Sequence, residues 1–368
     1  MKIHFVDLRR QYQRLKEPIL RTLQQNMQEA SFIMGPAVAE LEKRLAHFTG
    51  VQHAIGCGSG TEALMLALMA EDVQPDDEII TTPFSFFATA EVIALLKARP
   101  VFADIDPETF NLNPANIEPL ITPKTKGIIA VDLFGQCADH DSINAIAQKN
   151  NLFVIEDAAQ SFGATYKKRP AGSLAKIGCT SFFPAKPFGC YGDGGMLFTN
   201  DAELAATIQS LRNHGMGQNK YDHINLGLNA RLDTLQAAVL LEKLAVYPEE
   251  IQARQQAAVY YARHLGSAVL KPHIPSYNTS VWAQFSVRVK QRTTLREALQ
   301  QKGIPTAVHY PKPLHLQPAL AYLGYQCNDF PIAEQLCTDI LSLPLHPYLT
   351  RTEQDFIIET VNSFYEKG

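Results

Sequence analysis

Between residues 50 and 200 short apolar runs alternate with helical patterns, and this alternation restricts the possible folds more than any other feature of the chain. HAIGC (53–57), EIITT (78–82), PVFADI (100–105), GIIAV (127–131) and LFVIED (152–157) read as strands. TEALMLALMAE (61–71), ATAEVIALLKA (88–98) and DSINAIAQKN (141–150) lie between them with helical spacing. Strand–helix alternation implies parallel βαβ units, and runs that hardly alternate in polarity imply strands buried on both faces. TSFFPA (180–185) and GMLFTN (195–200) read as two further strands, and RLDTLQAAVLLEKLAVY (231–247) and EEIQARQQAAVYYARHL (249–265) as long helices. The turn-rich PHIPSYN (272–278) precedes WAQFSVRVK (282–290), which alternates like a half-exposed strand. The expected fold is α/β. A large domain over residues 1–248 holds a mixed, mostly parallel sheet, and a smaller α+β domain occupies 249–368. A chain of 368 residues is long enough for both.

Three stretches in the large domain carry chemistry. In GCGSGTEALMLAL (56–68) a strand runs through glycines into a helix, and the open N–H groups of a helix start bind anions. Its glycines are spaced GxGxG, not the GxGxxG of a dinucleotide loop, so it indicates phosphate of some kind or only a tight turn. In VIEDAAQSFGA (154–164) Glu156 and Asp157 end an apolar run, where open α/β sheets place their ligands. Strand alternation aims one carboxylate at such a site and the other away, and Gln160 is a polar companion. In SFFPAKPFGCYGDGG (181–195) Lys186 has no acidic residue within four positions on either side. An ammonium there is costly to desolvate, so the lysine either snorkels to water or serves as a neutral nucleophile. Gly189, Gly192, Gly194 and Gly195 allow close backbone approach around it. A phosphate cradle, a carboxylate and a nucleophilic lysine together are what pyridoxal phosphate requires, with the lysine on its aldehyde and the acid on its pyridine nitrogen.

With these residues in view the chain resembles the sugar-nucleotide aminotransferases of the DegT type. The likeness runs through FVDL (5–8), FIMGPAVAELE (32–42), SGTEAL (59–64), EDAAQSFGA, SFFPAK, NARLDTLQAA (229–238) and LSLPLHPYL (341–349). It implies the type I, aspartate-aminotransferase fold, with Lys186 as the Schiff-base lysine and Asp157 as the pyridine partner. It also implies that Gln160 faces the ring hydroxyl, that Phe86 stacks on the ring, and that Gly60, Thr61 and Ser181 hold the phosphate. Asn229 would reach the phosphate of a neighbouring subunit's cofactor, so the resemblance implies a homodimer with shared sites. Arg231, His309 and Tyr310 match positions that approach substrate. The finer likeness, in LFGQCADHDSINAIAQ (133–148), CTSFFPAKPFGCYGDGG (179–195) and PTAVHYPKPL (305–314), is to enzymes that aminate UDP-2-acetamido-2-deoxy-3-oxoglucuronate with L-glutamate as donor. Such a product serves amino-sugar synthesis for lipopolysaccharide, O-antigen or a similar surface polysaccharide. Many members have histidine where this chain has Asp132, a position the resemblance puts near the sugar site. That departure keeps a C4 aminotransferase acting on a UDP- or dTDP-4-keto-6-deoxy sugar as the alternative.

The remaining features narrow the setting. A formal net charge of −4, without a long Lys/Arg run, speaks against nucleic acid as a partner. The N-terminus turns polar after six residues and no apolar run spans a bilayer, so the expectation is a cytoplasmic protein with no membrane partner. Six scattered cysteines without a CxxC pair read as reduced thiols, and no metal site is expected. The rival classes are an NAD-dependent oxidoreductase, suggested by GCGSGTEA alone, and a non-catalytic regulatory protein on the same fold, for which Lys186 would be dispensable.

Overall fold

The computed structural model describes residues 2–366. Two N-terminal helices, α1 (Leu8–Gln28) and α2 (Pro36–Thr49), lead into β1 (His53–Cys57), α3 (Gly60–Ala70), β2 (Glu78–Thr81), α4 (Ala88–Leu95), β3 (Arg99–Phe102), β4 (Thr125–Val131), α5 (His140–Lys149) and β5 (Phe153–Asp157). A small hairpin, β6 (Thr165–Tyr166) and β7 (Arg169–Pro170), precedes β8 (Ile177–Ser181), β9 (Gly195–Thr199) and α6 (Ala202–Leu211). The chain continues through α7 (Thr234–Leu244), α8 (Tyr247–His264), β10 (Val269–Leu270), β11 (Phe285–Val289), α9 (Arg292–Gln301), α10 (Pro331–Asp339), β12 (Ile340–Leu343) and α11 (Arg351–Glu366).

Seven strands form one sheet in the order β1-β9-β8-β5-β4-β2-β3, parallel except where β9 pairs antiparallel with β1 and β8. Successive side chains of each strand enter different cores, which accounts for the continuous apolar runs. Ile55, Ile79, Ile129, Ile155, Ile177 and Leu197 pack with α3, α4 and α6. Ile80, Ile128, Ala130 and Val154 pack with α5, while Ala54, Met196 and Phe198 pack with α2 and α7. A separate core joins the antiparallel sheet β10-β11-β12 to α8, α9 and α11, and Ile3 from the N-terminus enters it. Helix α8 links the two regions: Tyr247 and Ile251 pack in the large one, Ala257, Ala258 and Tyr261 in the other.

Two expected elements lie elsewhere. The strand expected at 180–185 runs from Ile177 to Ser181, and Phe182–Ala185 leave the sheet as a loop in which Phe183 is exposed. Proline at 184 has no N–H for a ladder, while Gly178 and Cys179 sit inside it. The helix expected over 231–247 spans Thr234–Leu244, and the next begins at Tyr247 with Pro248 in its first turn, where a missing N–H costs nothing. None of the described helices is long and apolar enough to cross a membrane.

Candidate active site

The carboxyl ends of β4, β5 and β8 and the start of α3 open onto one cavity of about 510 Å³. Its walls include Gly60, Thr61, Phe86, Asp157, Gln160, Ser181, Lys186, His309 and Tyr310, so nine residues named from the sequence meet in one place. Helix α3 starts sharply because Ser59 accepts the Glu62 N–H (3.1 Å) while the Glu62 carboxylate accepts the Gly58 N–H (2.8 Å). The N–H groups of Gly60 and Thr61, which have no acceptor within the helix, remain for a ligand. Only glycine fits at 60, because an added Cβ would lie 2.6 Å from Ser181 Cβ. Gly195 permits the neighbouring approach, since a Cβ there would lie 2.4 Å from the Ser59 carbonyl oxygen. The result is a cluster of free backbone donors beside the Ser181 hydroxyl at the cavity wall.

Asp157 closes β5 and is 6% exposed. Its Oδ1 accepts the Ala159 N–H (3.1 Å) and its Oδ2 accepts the Thr89 hydroxyl (3.2 Å), which lies 3.1 Å from Ser85 Oγ. Burial raises its pKa, against the opposing pull of the Ala159 N–H and the Lys186 amine. Lys186 is held on a tight loop: its N–H donates to the Phe183 carbonyl (2.9 Å), Cys190 N–H donates to Phe182 (2.7 Å), and buried Lys243 donates to the Gly189 carbonyl (2.6 Å). Burial lowers the Lys186 pKa, offset in part by the Asp157 charge. Gln160 accepts the Phe134 N–H (2.9 Å) and donates to Tyr310 Oη (3.1 Å), which fixes its amide at the cavity wall. Phe86 is 57% exposed and its ring centroid is 6.5 Å from that of Tyr310.

Three positions fall outside this cavity. Asn229 is exposed and Arg231 donates to Asn213 Oδ1 (3.2 Å); neither lines the cavity of its own chain. Asp132, expected near the sugar site, is fully buried behind the sheet end. It contacts His140 Nε2 (2.8 Å) and accepts the Ser161 hydroxyl (2.9 Å) and the Ala138 N–H (2.8 Å). Glu156, pointing to the same side, accepts the Gly172 and Leu174 N–H groups, and burial followed by the Asp132 charge pushes its pKa up to about 8. Sequence reasoning missed Ser85, Thr89, Asp193 and Gln284, which also line the cavity. The polar run around TTPFSFFATA was the available signal for the first two.

The donor set fits pyridoxal phosphate: free backbone donors and a hydroxyl that would hold a phosphate, a buried carboxyl that would meet the ring nitrogen, and a buried lysine amine on the same cavity. Comparison with known proteins agrees. The DegT/DnrJ/EryC1/StrS aminotransferase family profile matches residues 13–362. A UDP-2-acetamido-2-deoxy-3-oxo-D-glucuronate aminotransferase of Pseudomonas aeruginosa is 50% identical over 348 residues, covering 94% of this chain and 96% of that protein. The crystal structure of a DegT DnrJ EryC1 StrS aminotransferase from Brucella abortus superposes with a TM-score of 0.94 at 45% identity, over 98% of this chain and 99% of the other. NtdA from Bacillus subtilis, solved with bound cofactor PMP, superposes with a TM-score of 0.91 at 32% identity, over 99% of this chain and 85% of the other. With the profile matched over nearly the whole chain and both structures superposing over almost all of it, the chain belongs to the DegT/DnrJ/EryC1/StrS family of pyridoxal-phosphate-dependent aminotransferases.

Proposed function

We propose that this protein moves the amino group of L-glutamate to UDP-2-acetamido-2-deoxy-3-oxoglucuronate, producing an amino sugar for a bacterial surface polysaccharide. The observation that carries the reading is the meeting of Lys186, Asp157 and the start of α3 around one cavity. The acceptor follows from the likeness to the Pseudomonas aeruginosa enzyme over nearly the whole of both chains.

The cofactor, when bound, supplies the electron sink that lets a carbon–hydrogen bond next to nitrogen ionise. The chain's own residues do the rest. The α3 start and Ser181 would hold the phosphate, and Asp157 would keep a proton on the ring nitrogen. Thr89 and the Ala159 N–H hold that carboxylate in line. The Lys186 amine, whose pKa burial lowers, would hold and move a proton at Nζ beside the substrate. His309 and Tyr310 face the substrate side. Asp132, the departure that left the keto position open, is buried against His140 and does not line the cavity, which supports the C3 reading.

A second copy of the chain completes the site in this reading. Asn229 and Arg231 lie outside the cavity of their own chain, close to a surface segment carrying exposed Tyr221, Ile224 and Leu226. An apolar surface of this kind is normally covered by a partner. Six free thiols, five of them buried, are compatible with a reducing cytoplasm.

Incubation with glutamate and a panel of UDP- and dTDP-linked keto sugars, followed by NMR location of the new carbon–nitrogen bond, tests the proposal. Amination at C3 of the uronate is expected; exclusive C4 amination would overturn the assigned substrate.

A further inference from the structure

His309 is among the residues that line the cavity, and its ring meets the first of two buried, linked serines. Its Nδ1 lies 3.0 Å from Ser342 Oγ, which lies 2.9 Å from Ser286 Oγ. Ser286 on β11 and Ser342 on β12 are cross-strand partners in antiparallel register. They are 1% and 0% exposed, so bulk solvent does not reach either hydroxyl. Among the described residues Ser286 Oγ has no other hydrogen-bond partner and His309 Nε2 has none, and Nε2 is not among the fully buried unpartnered atoms.

Counting protons sets the direction of this chain. Suppose Ser286 donates to Ser342 and Ser342 donates to Nδ1. Both hydroxyl protons are then satisfied and the ring proton sits on Nε2. In the reverse direction Nδ1–H donates to Ser342, Ser342 donates to Ser286, and the Ser286 proton has no acceptor in a buried interior. A buried donor without an acceptor shifts such an equilibrium by roughly ten-fold or more. We propose that Ser286 and Ser342 are positioning residues that fix the tautomer of His309, so that its neutral ring presents an Nε2–H donor to an acceptor oxygen of the substrate.

Burial, followed by the nearby Lys186 amine, lowers the His309 pKa to about 4, so the ring stays uncharged at neutral pH. A neutral donor of fixed direction recognises a carboxylate, carbonyl or hydroxyl oxygen. It has no lone pair in the cavity, so His309 is not a base for the substrate proton, and proton movement falls to Lys186. The inference rests on the reading of this cavity as the substrate site, but the tautomer itself does not depend on which sugar is aminated.

The test is 15N NMR of the holoenzyme labelled on histidine, with His309→Asn used to assign the signals. The expected spectrum shows a bare, hydrogen-bonded Nδ1 and a protonated Nε2 at neutral pH. Ser342→Ala and Ser286→Ala are expected to mix the tautomers and to raise KM for one of the two substrates about five-fold, with a smaller effect on kcat. Ser342→Thr, which keeps a hydroxyl, is expected to restore both. A wild-type spectrum with the proton on Nδ1 would overturn the proposal. So would serine-to-alanine variants that lose thermal stability yet keep the wild-type tautomer and both KM values. If the tautomer is as expected but the sugar assay shows another acceptor, the substrate assignment fails and this inference stands.

Discussion

Gly60→Ala probes the fit between α3 and β8 on which the phosphate cradle depends. The new methyl carbon would lie 2.6 Å from Ser181 Cβ and 3.2 Å from both Ser181 Cα and Oγ, where ordinary contact begins at 3.4 Å. Helix start and strand end must therefore part by roughly 0.8 Å, and overpacking of this kind costs about 1–3 kcal/mol. Neither side yields easily. Ser181 is paired with Gly195 in the sheet, and Gly195 is itself pressed against the Ser59 carbonyl. The same displacement carries the Gly60 and Thr61 N–H groups away from the phosphate, so cofactor affinity is expected to fall about 10- to 100-fold alongside stability. Urea unfolding of the cofactor-free protein measures the first effect, and absorbance titration with pyridoxal phosphate the second. Gly60→Ala combined with Ser181→Gly removes the closest contact and leaves Ser181 Cα at 3.2 Å. The double variant should regain most of the stability but not the affinity, since the serine hydroxyl is gone. An unchanged urea midpoint and unchanged affinity in Gly60→Ala would refute the close-packing argument.

Three further outcomes are expected. Asp157→Asn keeps the shape but cannot hold a proton on the ring nitrogen, and kcat should fall by roughly 10²–10⁴ in steady-state assays. If the sites are shared, Lys186→Ala and Asn229→Ala homodimers should each be impaired, and mixing them with subunit exchange should restore activity, because one site of each hybrid is then intact. No gain on mixing argues against sharing. The third concerns acid stability. His346 is 2% exposed and burial lowers its pKa from 6.5 to about 4. The unfolded chain therefore binds this proton first as pH falls. Stability should drop between 6.5 and 4 by up to ~3 kcal/mol and level off below that range. Glu156, raised from 4.5 to about 8, acts in the opposite sense, binding a proton in the folded state first and losing stability as pH rises through that window. His346→Gln isolates the first effect: its urea midpoint should vary less between pH 6.5 and 4 than that of the wild type.

The large sheet was legible because strands buried on both faces cannot hide polar residues, so each appears as an uninterrupted apolar run. Strand β8 was misplaced for the opposite reason. Gly178 lies where an added Cβ would meet the Gly172 carbonyl oxygen at 2.2 Å, so close packing demands the residue that least resembles a strand. The neighbouring Phe182–Phe183 pair has strand-like side chains but belongs to the loop that carries Lys186. Lys186 and Asp157 stood out as polar groups in apolar surroundings, whereas Thr89 is an ordinary-looking threonine in a short helix. Only the fold, by bringing α4 across the end of β5, makes its hydroxyl a partner for Asp157. Gln284 reads as one polar position of an alternating strand and gains its place at the cavity only when β11 is docked.

Asp132 shows how much hangs on a single step of register. Val131 and Asp157 are paired across β4 and β5, and both line the cavity. Pleating sends the residue before Asp157 and the residue after Val131 to the other side, so Glu156 and Asp132 come together with His140, with donor and acceptor atoms within 4.8 Å of one another. Two carboxyl groups in a buried layer require hydrogen-bond partners. These are the Gly172 and Leu174 N–H groups, the Ser161 hydroxyl and His140 at the start of α5. A carboxylate at a strand's carboxyl end is therefore a candidate for the site only when its parity along the strand matches that of a residue already there. Counted from Asp157, that parity assigns Asp132 to the supporting layer, where its hydrogen bonds tie the 132–138 and 158–161 turns together beneath Asp157 and Gln160.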